Sequence, residues 1–167
     1  MSSWDWQPTP TGRWFKSVGA KDWPMDENWL DTHPNETEII HFAKRPKAVR
    51  VDDTLVYYAA VHQKIFGIVK VFSKPQDDPT RTRWPWWAYV RPQVIIRSFE
   101  RAPALDVLAE VTPDRDWRRV VMQMDYKSLR EIEYEHVAAA LAKAADASRG
   151  DIITPEFASI RWGAAED

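Results

Sequence analysis

The residues best suited to metal or acid–base chemistry are four histidines, His33, His41, His62 and His136. None has an i, i+4 histidine partner or a neighbouring ligand at metal-binding spacing, so no metal centre is expected. The absence of cysteine removes thiolate ligands and disulfide frameworks. The five glycines are scattered singly, which leaves no loop to cradle a phosphate. No nucleophile elbow is present, and no Ser, His and Asp arrangement stands out. The carboxylates fall in loops and along one helix, where solvation accounts for them. The expectation is therefore binding without catalysis, and without a cofactor.

The residues that do point to a ligand are aromatic. The chain has ten tryptophans, more than one small core can easily bury, and the stretch "RTRWPWWAYVRP" (81–92) sets several beside arginines. Written in alternation, the strand beginning at Trp86 puts Trp86, Ala88, Val90, Pro92, Val94 and Ile96 on one face, which reads as core. Trp87, Tyr89, Arg91, Gln93 and Ile95 share the other, suited to a cleft or a half-covered surface. Trp84, between Arg83 and Pro85, stands in a loop that sheet packing does not bury. Flat rings next to guanidinium groups suit a nucleobase and its phosphate, and each stacked base contributes about 1–3 kcal/mol.

Basic residues cluster although the net charge is −2: "KRPKAVR" (44–50), Arg81 with Arg83 and Arg91, and "RDWRR" (115–119). The acids concentrate between Asp22 and Glu38 and between Glu131 and Glu135. One basic face on a nearly neutral protein is compatible with this asymmetry, as are charges spread over a solvated surface. Lys44, Arg45, Lys47, Arg81, Arg83 and Lys127, from separate segments, are the expected phosphate contacts.

These residues need a scaffold. With 167 residues, 44% of them hydrophobic and 29% charged, the chain reads as one soluble domain. Its start lacks the basic and apolar regions of a signal peptide, and no apolar run approaches the roughly 20 residues that span a bilayer. A cytoplasmic, monomeric protein without a membrane partner is expected. Residues 1–12 read as a flexible arm and 148–167 as a C-terminal extension around a domain at 13–147. Strands are expected at 13–18, within 49–60 (a strand entry, an Asp-Asp turn and an apolar strand), at 64–72 and at 86–96, with "VLAEV" (107–111) and "WRRVVMQM" (117–124) as two more. "NETEIIHFAK" (35–44) reads as a short helix capped by Asn35 or Thr37. Tyr134, Val137, Leu141 and Ala145 give an amphipathic helix, started by a Ser128–Glu131 capping box or by Glu133. "TPEFASIRW" (154–162) reads as a last helical turn with Thr154 as cap and Pro155 first. Consecutive short strands of this kind curl into a barrel.

Several segments together resemble EVE domains. "RWFKS" is similar to the family's opening strand, "VRVDDTLVYYAA" to its Val-x-x-Gly-Asp-x-x-Val-Phe-Tyr strand pair, and "IFGIVKVFSKPQDDPT" to its Ile-x-Gly-Ile-x-x-Val segment and following Asp-Pro-Thr. "MQMDYKSLREIEYEHVAAAL" resembles the closing strand and helix. The resemblance runs in order from residue 13 to about 143. It departs at Asp52, where the family has glycine, and at "WLDTHPNETEI", which lacks the family's Gly-Val-Arg-Asn-Tyr-like segment. It implies an α+β fold, a PUA-like small β-barrel of about five to six strands flanked by short helices, related to YTH domains. It also implies a partner: DNA or RNA carrying a modified, methylated base, flipped into an aromatic pocket at a cost of a few kcal/mol. By position, Lys16 and Ser17 end the first strand at that pocket, Trp29 matches one wall, and Trp84 or Trp86 matches the other. The competing expectation is a module that binds a nucleotide-like small metabolite.

Overall fold

A computed structural model describes residues 12–20, 25, 37–160 and 162. Among these, six strands form the main path of one sheet: β1 (Arg13–Val18), β2 (Ile39–Phe42), β3 (Thr54–Ala59), β4 (Lys64–Val71), β6 (Trp86–Ile95) and β7 (Tyr126–Ser128). They are ordered β2-β6-β4-β3-β1-β7, and the two-residue strands β5 (Gln76–Asp77) and β8 (Ile152–Ile153) add to β6. Only β1 and β3 run parallel; the other pairs are antiparallel. The helices are α1 (Asp106–Val111), α2 (Trp117–Gln123), α3 (Glu131–Ala144) and α4 (Pro155–Ser159).

The strand-rich segments form because β-branched and aromatic residues fit a pleated surface. Every residue of β3, "TLVYYA", is buried, as is most of β4. These central strands face the barrel interior on one side and other core residues on the other, so they lose the polar alternation of a one-sided sheet. Gly67 on β4 lets β6 approach closely: a Cβ there would lie 2.9 Å from the Val94 carbonyl oxygen. Beside it the β4–β6 register shifts between Ile68 and Val69, so Val94 and Ile95 are both buried.

The sheet curls until its edge strands meet through side chains. The Ala43 N–H, just past β2, donates to Asp125 Oδ2 at 2.9 Å, just before β7. The Phe42 and Tyr126 rings meet edge-on at 5.7 Å. The result is the α+β, PUA-like barrel with short flanking helices.

Three local expectations are corrected. Ile39–Phe42 is a strand rather than part of a helix, because pairing with β6 buries Ile40 and Phe42 on alternate positions; Asn35 lies outside the described residues. The segments 107–111 and 117–124, expected as strands, are helical over 107–111 in α1 and over 117–123 in α2, with Met124 extended at the end of α2. Asp116 caps α2 by accepting from the Arg119 N–H at 3.3 Å. Trp117 then packs edge-on against Phe15 at 5.8 Å. Helix α3 forms as expected and buries Tyr134, Val137, Ala138 and Leu141. Its start is set by Glu133, whose carboxylate accepts from the Arg130 N–H at 2.7 Å. The same fully buried carboxylate accepts from Thr112 Oγ1 at 2.8 Å and Arg115 Nη1 at 2.7 Å, tying α3 to the loop between α1 and α2.

Within the segment assigned to a C-terminal extension, β8 pairs with Val94 and Ile95, and α4, capped by Thr154, buries Phe157. No described helix is long and apolar enough to cross a membrane.

Candidate functional site

The strand ends that carry the predicted residues converge on a cavity of about 700 Å³. Ser17, Gly19 and Ala20 line it from the end of β1, and Tyr58, Ala60, Val61 and Gln63 from the end of β3 and the turn after it. Arg83 and Trp84 line it from the loop before β6, Ala43 from the end of β2, and Asp125 from the entry to β7. Arg118, Val121, Met122 and Met124 close the remaining side from α2 and its end.

Backbone strain gathers at this cavity. The described non-glycine residues with positive φ are Asp52, Val61, Gln63 and Trp84, and the last three all line it. A β-branched valine at φ 76° is a true outlier, and such conformations persist only where surrounding structure enforces them. Strain of this kind clusters at functional sites. The rim is also unusually apolar: Val61 is 55% exposed and Met122 84%.

The wall offers a mixed set of contacts. The Arg83 guanidinium lies 4.2 Å from the centre of the Trp84 ring. Burial pushes the Tyr58 phenol above its ordinary range, so it remains a neutral hydroxyl. Asp125 is held in place by Lys16, whose ammonium donates to Asp125 Oδ1 at 2.8 Å and to the Ser17 carbonyl at 2.6 Å. Just beyond, on β2, burial and then the Arg81 and Lys16 charges lower His41 to about 4.

The predicted residues are distributed unevenly around this site. Ser17, Arg83 and Trp84 line the cavity. Lys16 is 2% exposed and stands behind Asp125 as its counter-ion, so it positions the wall rather than forming it. Trp86 packs partly buried against the core, with Arg45 5.6 Å from its ring centre, and is not among the lining residues. Trp29 lies outside the described residues. Lys44, Arg45, Lys47, Arg81 and Lys127 are all exposed, on the segments that also supply Ala43, Trp84 and Asp125 to the cavity. No group of metal-ligating side chains occurs among the described residues.

Sequence reasoning missed the α2 contribution, Arg118, Val121, Met122 and Met124. The signal was present: Trp117, Val120, Val121 and Met124 have the i, i+3, i+4, i+7 spacing of a helix, behind Asp116 as cap.

No protein-family model matches the chain, and no curated protein matches it in sequence. Solved structures do match in shape. A protein of Rhodopseudomonas palustris superposes with a TM-score of 0.53 at 14% identity, covering 82% of this chain and 97% of that one. A protein of Leishmania major gives 0.52 at 12% identity, covering 80% and 96%. The ASCH protein of Zymomonas mobilis gives 0.50 at 12% identity, covering 77% and 94%. At such identities the likeness is one of fold, and the fold it shares is the curled PUA-like barrel.

Proposed function

We propose that the chain is a non-catalytic module that binds DNA or RNA and receives a modified, methylated base in the cavity at the end of β1. The carrying observation is the convergence of Ser17, Tyr58, Trp84 and Asp125 on one strained pocket, on segments that also bear exposed cations. Its 700 Å³ lies within the range of about 300–1,000 Å³ typical of small-ligand sites and admits a flipped base. Trp84 supplies a π-face. The Asp125 carboxylate only accepts hydrogen bonds, which suits the exocyclic amine of cytosine or adenine. Val121, Met122 and Met124 give apolar contact for an added methyl group. Arg83 and Arg118 at the wall, with Lys44, Arg45, Lys47, Arg81 and Lys127 around it, would hold phosphates without reading sequence. Trp29 remains our proposed second wall, and Trp86 a support for the loop that presents Trp84.

The cavity size equally favours a nucleotide-like metabolite, and salt dependence separates the two. Fluorescence-anisotropy titrations on single-stranded oligonucleotides with and without a methylated base should show affinity falling with salt. Arg81→Glu with Arg83→Glu should lower the slope by roughly 1.4, at about 0.7 per lost contact on a single strand. Arg81→Glu alone, which does not line the cavity, should keep the preference for the modified base, while Trp84→Ala should lose it. A slope unchanged by the arginine reversals would put the metabolite reading first.

A further inference from the structure

A second aromatic surface lies outside this cavity, on the outward face of β6. The Trp87 and Tyr89 rings meet edge-on at 5.0 Å. Tyr89 in turn stacks on Phe72, with centroids 5.6 Å apart and planes inclined by 30°. The Arg91 guanidinium caps the row 4.5 Å from the centre of the Phe72 ring. Phe72 and Tyr89 remain 40% and 41% exposed, while Ala88 and Val90, on the opposite face of the same strand, are buried. The core has no use for these rings.

We infer that this row is a stacking platform for unpaired nucleotides that flank the base in the pocket. This rests on the nucleic-acid reading above and adds to it that the bound strand is single-stranded beside the flipped base. Two observations select this occupant. The row ends in cations: Arg91 and Lys70 are direct partners in the β4–β6 register, and both are exposed, which complements a phosphate backbone. The acids Asp77 and Asp78 stand at the other end, where β5 meets Trp86 and Trp87, so the strand is drawn toward Arg91. The row also begins just after the loop that places Trp84 in the cavity, and from Trp87 to Arg91 it runs roughly 13 Å at about 3.3 Å per residue. Exposed ring faces accept any base, but only one whose own face is uncovered, so a duplex would not use them.

The test employs Phe72→Leu and Tyr89→Leu, which keep apolar cover but remove the π-face, with melting temperature as the check on folding. The probes are a fluorescein-labelled dT12 strand, which has no modified base, and a duplex of the same length. Wild type should bind dT12 more tightly than the duplex. Each substitution should weaken dT12 binding roughly tenfold and leave duplex binding and modified-base preference unchanged. Variants that fold and bind dT12 like wild type would overturn the platform while leaving the pocket reading intact. Loss of modified-base preference in Trp84→Ala, measured separately, tests that reading alone. A wild type that binds neither probe would overturn the platform as well, and leaves the pocket to its own test on methylated oligonucleotides.

Discussion

Removing the Asp125 carboxylate should destabilise the fold through the lysine it leaves behind. Lys16 is 2% exposed, and its ammonium donates to Asp125 at 2.8 Å and the Ser17 carbonyl at 2.6 Å, with the Phe42 ring 5.2 Å away. Asp125→Ala strands that charge in the barrel wall, and breaking a buried pair from one side costs about 3–5 kcal/mol. The lysine can escape by losing its proton. From an ordinary value of about 10.4 this costs roughly 4.6 kcal/mol at pH 7 and roughly 1.9 at pH 9, at about 1.36 kcal/mol per unit. The unfolded chain of the variant then binds the extra proton, so its stability must rise with pH over this range. Lys16→Met should cost far less, because Asp125 is 25% exposed and keeps the Ala43 N–H as a donor. The double variant should be more stable than Asp125→Ala alone, since no buried charge remains. Urea melts at pH 7 and 9 measure all of this. A deficit for Asp125→Ala that is under 1 kcal/mol or the same at both pH values, or a double variant no better than the single one, would refute the reasoning.

The strain and the titration at the site can be tested as directly. Val61→Gly should stabilise the protein slightly, by up to about 1 kcal/mol, because release of a left-handed conformation worth about 1–2 kcal/mol outweighs the added freedom of glycine in the unfolded chain. Val61 is 55% exposed, so little burial is lost; a lower urea midpoint would mean that its side chain packs after all. His41, lowered to about 4, should stay neutral in the folded state across the neutral range, with its ring resonances titrating near 4 by NMR. Its folded value lies below the unfolded one, so its contribution to stability is complete above about 6.5 and is lost as pH falls through about 4. Titration near 6.5 would contradict the burial assigned to β2.

The parts of the molecule legible in the sequence are those determined by neighbours in the chain. β1, β3, β4 and β6 stand out because their β-branched and aromatic residues crowd together between turn formers. The alternation separates core from surface as observed from Ala88 to Arg91, whereas Trp86 and Trp87 are both half-buried. The period of α3 and the Thr154 cap are likewise local. Asp53 accepts from the Gly12 and Arg50 N–H groups and the Trp14 indole N–H, so an aspartate at the turn before β3 has a structural reason. The errors fall where a short apolar run suits two structures. Ile39–Phe42 is a strand because β6 pairs with it, and Trp117–Gln123 is helical because Phe15 and the cavity take one side of it; local preference alone does not separate these cases.

What only the tertiary structure decided is the site itself. Lys16 and Asp125 meet across 109 residues, and a lysine that reads as a pocket contact becomes the counter-ion that holds the wall. The positive φ of Val61, Gln63 and Trp84 has no mark in their side chains, since glycine is the usual residue there. Val61 and Gln63 take them in the turn between β3 and β4, where the Gln63 N–H donates to the Ala59 carbonyl at 3.1 Å, and Trp84 takes its own in the loop before β6. Residue types announce that rings and charges await a ligand, but which of them share a cavity depends on contacts distant in the chain, and propensity, a property of neighbours, does not encode them.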